Sequence, residues 1–380
     1  MEEGKENEPP AKRRFSSSSS QDLRTAVEAT VAENTRKAND QWLRCFQQYC
    51  AEKKISIDLC SSSVEEIASV LERFYLEVRK QGGEPYGRSA LLCCRAALGR
   101  VITGAGRQVN IMQDAAFTTA NKALDGLLKL RRKTGELKPT SHEPAILTAD
   151  LEKIVQYFGD IGEHPAWCDP IKLCLFVWWT ITYHFCLRSE EVQLQIRQGD
   201  IVFDRDDNGK EFATISAEFL TKNHNGGATR DETGHYSTAG RIYDEHQLTC
   251  LKLLLEHLHP GERRLFQRAR PNAKVTDAVW YYRSPLGKNI LCRMMPTISQ
   301  SAQLSQKYTN HSARVTAITV MKKANIEDRT VCAVSRHRNL KSLNSYDGPS
   351  DSVKGEISAR LDQAAAGLAV AKVNSAASEA

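Results

Sequence analysis

The most apolar stretch of the chain covers residues 171–182 and has the sequence IKLCLFVWWTIT. Lys172 is its only charged residue, so a helix built from it is apolar on nearly every side. Such a helix has to be covered by a protein core or by lipid. The stretch is too short to cross a bilayer, which takes about 20 apolar residues. We therefore expect a buried helix inside a sizeable domain, and no membrane partner.

The length of the chain allows two domains with separate cores. It has 380 residues, of which 41% are apolar, an ordinary proportion for a globular protein. Its 52 basic and 46 acidic residues give a net charge of +6. This mild excess permits a polyanionic partner without demanding one.

The eleven cysteines are an odd number and show no CxxC spacing. This pattern favours free, mostly buried thiols in a reducing compartment over a disulfide framework. No Cys or His pairs stand at the spacing of a zinc finger, so we expect no metal site.

The two ends of the chain differ from the rest in composition. Residues 1–21 are polar and rich in Pro and Ser, which predicts a disordered tail. The basic residues 12–14 follow two prolines and form either a nuclear localisation signal or part of a solvated tail. Residues 353–380 are Ala-rich and predict one helix followed by disorder.

Residues 22–132 form the first predicted domain, an all-α helical bundle. Apolar residues recur there at helical spacing, and capping residues separate the helices. The predicted helices cover residues 26–51, 64–79, 89–103 and 117–132. Residues 133–144 contain Gly and two Pro and predict a linker. The basic residues before it either contact a nucleic acid or form a solvated face; they are Lys129, Arg131, Arg132 and Lys133.

Residues 145–352 form the second predicted domain, which mixes helices with a small antiparallel β-sheet. Residues 201–219 predict a hairpin, because β-branched and aromatic residues flank the turn signal at 206–209. Helices are predicted at residues 151–158, 171–186, 246–257 and 308–324. The sequence thus predicts a mainly α chain with an α+β second domain.

The second domain also carries residues able to act on an anionic group. His311 and Arg314 stand three residues apart, so both lie on one face of a helix and can reach the same anion. That spacing alone is weak, because about one such pair arises by chance in a chain with ten histidines. The order of further candidates narrows the choice. In chain order they are Arg188, Lys222, His311, Arg314, His337 and Tyr346.

This ordered set resembles the tyrosine recombinases of the phage-integrase family, and within them the eukaryotic Crypton-type recombinases. The strongest likeness lies in residues 308–346, YTNHSARVTAITVMKKANIEDRTVCAVSRHRNLKSLNSY. Residues 33–42 are similar to the first helix of the family's N-terminal core-binding domain, a SAM-like bundle. Residues 145–350 are similar to its catalytic domain.

The resemblance implies a site-specific recombinase of a mobile element. Such an enzyme acts in the nucleus of a eukaryote, as a homo-tetramer on double-stranded DNA and without a cofactor. It implies Tyr346 as the nucleophile and Arg188 and Arg314 as the clamp on the scissile phosphate. Two guanidiniums suit that task because they bind the oxygens that gain charge in the transition state.

The remaining roles concern protons and support of the nucleophile. The resemblance implies His311 as general acid or base and Lys222 as the acid for the leaving 5′-oxygen. His337 matches the position that hydrogen-bonds the phosphate or buttresses the nucleophile. Tyr281, Tyr282 and Tyr308 compete with Tyr346, but only Tyr346 follows His311 and Arg314 at the family's spacing.

Two positions depart from the family pattern. Cys186 and Arg336 stand where the family commonly has glycine. At Arg336 this puts the backbone conformation of the local turn in question, because glycine there can adopt positive φ. Two other readings stay open. One is an inactive, domesticated DNA- or chromatin-binding regulator derived from a recombinase. The other is a relaxation activity like that of a type IB topoisomerase, which shares the chemistry.

Overall fold

The computed structural model describes residues 18–137, 143–188, 190–216, 240–337, 339–346, 358–360 and 363. The chain divides into two compact units, Met1–Ser141 and His142–Ala380. The division falls inside the segment 133–144 that the sequence predicts as a linker. The basic residues 12–14, Lys222 and most of the tail after residue 353 lie outside the described residues.

The first unit is a bundle of α-helices. Its helices are α1 (Ser20–Glu28), α2 (Glu33–Glu52), α3 (Val64–Glu77), α4 (Arg88–Gly104) and α5 (Thr118–Lys133). One predicted helix is wrong, because the single helix expected over residues 26–51 is broken between α1 and α2. Thr30, which lies in the break, donates its hydroxyl to the carbonyl of Val27 at 2.6 Å. Side-chain bonds of this kind compete with helical hydrogen bonding.

Aromatic residues fill the core of this bundle. The rings of Phe46 and Phe74 meet edge to face with centroids 5.2 Å apart, and both are buried. The helix that carries Phe74 begins with a reciprocal cap between Ser63 and Glu66.

The second unit joins helices to two short hairpins. The helices are α6 (Thr148–Phe158), α7 (Pro170–His184), α8 (Glu190–Gln193), α9 (Glu245–His257), α10 (Lys288–Leu291), α11 (Met294–Ser301), α12 (Asn310–Lys323) and α13 (Asp328–Ser335). The strands are β1 (Ile201–Arg205), β2 (Glu211–Ile215), β3 (Gln267–Ala269) and β4 (Tyr281–Pro285), paired β1 with β2 and β3 with β4. This is the mainly α chain with small antiparallel sheets that the sequence predicts. The second hairpin and the helices α8, α10 and α11 were not predicted.

Helix α7 is the centre of this unit. Its residues 173–182 are all buried, which confirms the expected core helix. Asp169 caps its start by accepting from the backbone N–H groups of Ile171 and Lys172. Around it pack α9, α11 and α12, with β3. Within the described ranges, no helix is both long and apolar enough to cross a membrane.

The hairpin of β1 and β2 has its turn where the sequence predicts it, at residues 206–209. Ile201 pairs with Ile215 and Arg205 with Glu211, and the turn closes at Gly209, whose φ is +77°. A glycine is suited to this left-handed backbone. All eleven cysteines are free thiols, and six of them are buried.

A buried carboxylate holds the start of α6 against the loop before α12. Asp150 accepts from the backbone N–H of Ser305 at 2.9 Å and from the Tyr308 hydroxyl at 2.8 Å. The Ser305 hydroxyl donates to the same carboxylate. Desolvation opposes ionisation, but these hydrogen bonds outweigh it and lower the pKa of Asp150. The network fixes the segment from which α12 starts.

Replacing Asp150 with asparagine should lower the free energy of unfolding by ~1–3 kcal/mol, because charge-assisted bonds to three donors, one of them the buried Tyr308 hydroxyl, are weakened. A folded-state pKa below the unfolded value stabilises the protein above the unfolded pKa of about 3.9 and loses that effect as pH falls through the folded pKa. The difference in free energy of unfolding between wild type and Asp150→Asn should therefore be largest at neutral pH and should decrease in acid. Urea unfolding at several pH values measures it. Glu152→Gln, on the exposed side of the same helix, is the control, and an equal loss in both variants would contradict this role.

Candidate active site

The buried guanidinium of Arg314 joins three parts of the second unit. The side chain, 1% exposed, projects from α12. Its Nη1 donates to the carbonyl of Cys186, just beyond the end of α7, and its Nη2 donates to the carbonyl of Ser335, the last residue of α13. Carbonyls at helix ends carry partial negative charge, which a cation satisfies. The bonds bring the ends of α7 and α13 to the start of α12.

Part of this guanidinium remains available for an anion. Its Nε is buried and has no hydrogen-bond partner among the residues described. Burial, followed by the positive charge of Arg188, lowers the pKa of Arg314 to about 10, while interaction with the Tyr346 phenol opposes these effects. Arg314 stays positively charged at neutral pH, so an anion placed beside it would be strongly attracted.

His337 is held in one tautomer beside Arg314. Its Nδ1 lies 2.7 Å from the hydroxyl oxygen of Ser335, which in turn donates to the carbonyl of Val331 at 2.6 Å. Because the Ser335 proton is committed to Val331, Nδ1 must carry the ring proton and donate it to Ser335. Nε2 then presents its lone pair to Arg314 Nη2, 3.3 Å away.

The surroundings of His337 keep the ring neutral. Burial is the main cause, and the positive charges of Arg314 and Arg188 add to it, so that the pKa of His337 falls to about 4. The neutral ring turns the lone pair of Nε2 toward the arginines, so it can accept a hydrogen bond or a proton on that side. It becomes a donor there only if a bound anion offsets the local positive charge.

Tyr346 ends a short 3-10 helix, Leu340–Tyr346, and is half-buried at the same site. Its ring lies 5.9 Å from that of His337, centroid to centroid. Leu343 anchors the 3-10 helix in a small apolar cluster with Ile318 and Val331. The anchor sets the position of the phenol relative to Arg314.

The competing tyrosines have structural roles or lie elsewhere. Tyr281 is buried and donates to the carbonyl of Pro170 at 2.8 Å. Tyr308 is buried and donates to Asp150. Tyr282 is exposed, with the guanidinium of Arg268 over its ring. Among the tyrosines named as candidates, Tyr346 is the one that the structure places beside Arg314.

Arg188 and His311 are the remaining candidate catalytic residues that the structure describes. Arg188 follows the end of α7 and is partly exposed, and His311 is exposed at the start of α12. Partial desolvation, then the charges of Arg314 and Arg188, lower the pKa of His311, while Glu143 raises it. The structure thus brings all of the predicted catalytic residues together except Lys222, which lies outside the described residues.

Both positions that depart from the family's glycines have a left-handed backbone. Cys186 has a φ of +48° and Arg336 a φ of +56°. For a residue with a Cβ, this backbone conformation costs roughly 1–2 kcal/mol. The backbone therefore keeps the shape that glycine would permit. The Cys186 thiol is buried, and burial raises its pKa to about 11, so it stays protonated.

The basic residues at the end of α5 divide into two kinds. Lys129, Arg132 and Lys133 are exposed, and Lys129 pairs with Asp125 at 2.6 Å. Arg131 is buried and donates to the carbonyl of Tyr86 at 3.3 Å. Its burial corrects the expectation that Arg131 contacts DNA, because the guanidinium is used inside the bundle.

Ser335 is the functional residue that sequence reasoning missed. It supplies a carbonyl to Arg314 and a hydroxyl to His337. Its place two residues before His337 was visible, but the sequence carries no signal that its hydroxyl folds back onto the ring.

No protein-family model matches the chain. Among curated proteins it is 22% identical, over 297 residues, to uncharacterized protein KIAA1958 of Homo sapiens and to its Mus musculus homologue. The match covers 74% of this chain and 40% of each relative, so the chain spans less than half the length of the curated relatives it matches.

Among solved structures, the chain is similar to the XerH site-specific recombinase bound to palindromic difH substrate in a post-cleavage complex. The TM-score is 0.52 at 17% identity, and the match covers 91% of this chain and 84% of that one. The likeness establishes the fold. The chain therefore shares the fold of this site-specific recombinase.

The ionisation of His337 offers a test of this geometry. Arg188→Ala removes one of the charges that keep the ring neutral, so the pKa of His337 should rise above its value of about 4. Arg188→Lys keeps the charge and should leave the pKa near that of wild type. Ring ¹⁵N chemical shifts measured across a pH titration give both the pKa and the tautomer. A wild-type pKa near the ordinary value of about 6.5, or a proton on Nε2, would contradict the arrangement.

Proposed function

We propose that the protein is a site-specific DNA recombinase that cleaves and rejoins double-stranded DNA through a 3′-phosphotyrosyl intermediate on Tyr346. The observation that carries the proposal is the position of the Tyr346 phenol beside Arg314 and His337, with Arg188 adding a second cation. The fold shared with a site-specific recombinase supports it.

The first step needs stabilisation of charge on the phosphate. Arg188 and Arg314 would bind the two non-bridging oxygens, which gain negative charge as a fifth ligand joins the phosphorus. The buried Nε of Arg314 offers a donor for such an oxygen. Because Arg314 is anchored by two backbone carbonyls, little reorganisation is required when the phosphate arrives.

The bond changes balance without an external energy source. The Tyr346 oxygen bonds to phosphorus and gives up its proton, the bond to the 5′-oxygen breaks, and that oxygen takes a proton. His311 would act as general acid or base, and Lys222 would protonate the 5′-oxygen. His337 would accept from Arg314 before the phosphate binds and support the phosphate afterwards. Attack by another strand's 5′-hydroxyl reverses the step, so the tyrosyl link conserves the bond and neither ATP nor a metal is needed.

The biological setting is proposed from the sequence resemblance. Exchange between two duplexes requires four strand cleavages, so a homo-tetramer on DNA belongs to the proposal. So do a mobile-element origin of the Crypton type and a nuclear location. The exposed side chains of Lys129, Arg132 and Lys133 would contact DNA phosphates from the first unit. The structure that supplies the fold likeness is itself a recombinase bound to its substrate.

Trapping the covalent intermediate tests the proposal. The full chain is incubated with nicked suicide DNA that carries candidate recombination ends, and an SDS-stable adduct is sought on a gel. Wild type should form the adduct, and Tyr346→Phe should form none because the nucleophilic oxygen is gone. Tyr282→Phe removes an exposed hydroxyl from the same unit and should react as wild type does.

The negative outcomes are informative. An adduct retained by Tyr346→Phe would contradict the nucleophile. Duplex binding by wild type without any adduct would favour the domesticated, non-enzymatic regulator. Adducts with relaxation but no strand exchange would favour the activity of a type IB topoisomerase.

The division among the basic residues of α5 gives a second prediction. Arg132→Ala should reduce the slope of log affinity against log salt by about 0.9, the share of one phosphate contact on duplex DNA. Arg131→Ala should leave that slope unchanged and instead lower the melting temperature, because the buried bond to Tyr86 is lost. Fluorescence anisotropy across a salt series and thermal melts measure the two effects. The reverse pattern would contradict the assignment.

A further inference from the structure

Arg336 occupies a backbone position that is poorly suited to arginine. It follows α13 with φ +56° and ψ +42°, and its N–H donates to the carbonyl of Cys332. This is the left-handed position after a helix that glycine usually takes. Glycine would relieve the strain while keeping the same backbone hydrogen bond. What arginine adds at this position is its side chain.

The position of Arg336 puts it within the cluster of arginines. It stands between Ser335, whose carbonyl binds Arg314, and His337, whose ring faces Arg314. With Arg188 and Arg314 it lines a cavity of about 20 Å³. Its positive charge, together with that of Arg314, acts on the thiol of Cys186 in the wall of the same cavity.

The cavity has the size and charge for one oxygen atom of an anion. A space of about 10–15 Å³ holds one water-sized atom, so 20 Å³ accepts one phosphate oxygen but no larger group. Besides the three arginines, its lining residues are all uncharged side chains: Phe185, Cys186, Leu187, Val192 and Ser335. The buried, unpartnered Nε of Arg314 is a second sign that an acceptor belongs nearby.

We propose that Arg336 is a third guanidinium contact to the DNA phosphate that Arg188 and Arg314 bind. The inference deepens the proposed function and rests on it for the identity of the phosphate. Arg188, Arg314 and Arg336 line the same small cavity, so a phosphate oxygen placed in it is attracted by all three guanidiniums. The contribution of Arg336 would therefore appear as anion affinity, at the cost of backbone strain.

The first test uses inorganic sulfate, a tetrahedral anion shaped like a phosphate, with the full chain. Calorimetric titration of wild type should show saturable binding. Arg336→Gly should weaken it by about tenfold, which corresponds to ~1.4 kcal/mol. Arg188→Ala should weaken it comparably, because it removes a guanidinium from the same cavity. Arg336→Gly should also melt no lower than wild type, since the left-handed strain is relieved.

The chain offers a matched control in Lys54. It too is a cation with positive φ, at +54°, and it is exposed and does not line the cavity. Lys54→Gly therefore removes the same charge and the same kind of strain, and should leave the sulfate affinity unchanged. No saturable sulfate binding by wild type, undiminished binding by Arg336→Gly, or an equal loss in Lys54→Gly would each overturn the proposal.

Duplex DNA supplies the second measurement. Arg336→Gly should lower the slope of log affinity against log salt by about 0.9, the value for one phosphate contact. A slope equal to that of wild type would overturn the proposal. Neither sulfate nor salt titration requires cleavage by Tyr346. If Arg336→Gly binds sulfate and DNA as wild type does while wild type still forms the covalent adduct, only the role of Arg336 is overturned. If wild type forms no adduct, the proposed recombinase function is contradicted instead.

Discussion

The buried guanidinium of Arg314 is the interaction on which the candidate site depends. Its bonds to the carbonyls of Cys186 and Ser335 fasten the end of α7 and the end of α13 to the start of α12. Arg188 follows the first of these ends and His337 the second, while Tyr346 lies one short 3-10 helix further on. Helix α7 makes this possible, because its residues 173–182 are all buried and its end is therefore fixed just before Arg188.

The same contacts set the electrostatic character of the site. Arg188, Arg314 and Arg336 line one cavity, and the neighbouring ring of His337 is neutral because burial and positive charge oppose its protonation. Ser335 fixes which nitrogen keeps the proton. These guanidiniums attract an anion, and the attraction grows when negative charge on the anion increases, as it does on a phosphate under attack.

Much of this was predictable from sequence where the signal is local. The helical spacing of His311 and Arg314 placed both on α12, and the apolar run identified α7. The departure from glycine at Arg336 put the local turn in question without predicting its φ. Other features depend on tertiary contacts that no local pattern records. Examples are the hydrogen bond from the buried Arg131 to the carbonyl of Tyr86, the hydrogen bond between the Ser335 hydroxyl and His337, and the break before α2. The short strands β3 and β4 carry too few alternating residues to be distinguished from loops.

The proposed function requires that Tyr346, the tyrosine beside Arg314, becomes covalently linked to DNA. Peptide mass spectrometry of the protease- and nuclease-digested complex measures this directly. We expect a nucleotide 3′-phosphate on the peptide that contains Tyr346, localised to that side chain by fragmentation. A nucleotide on any other residue, or attachment through a 5′-phosphate, would contradict it.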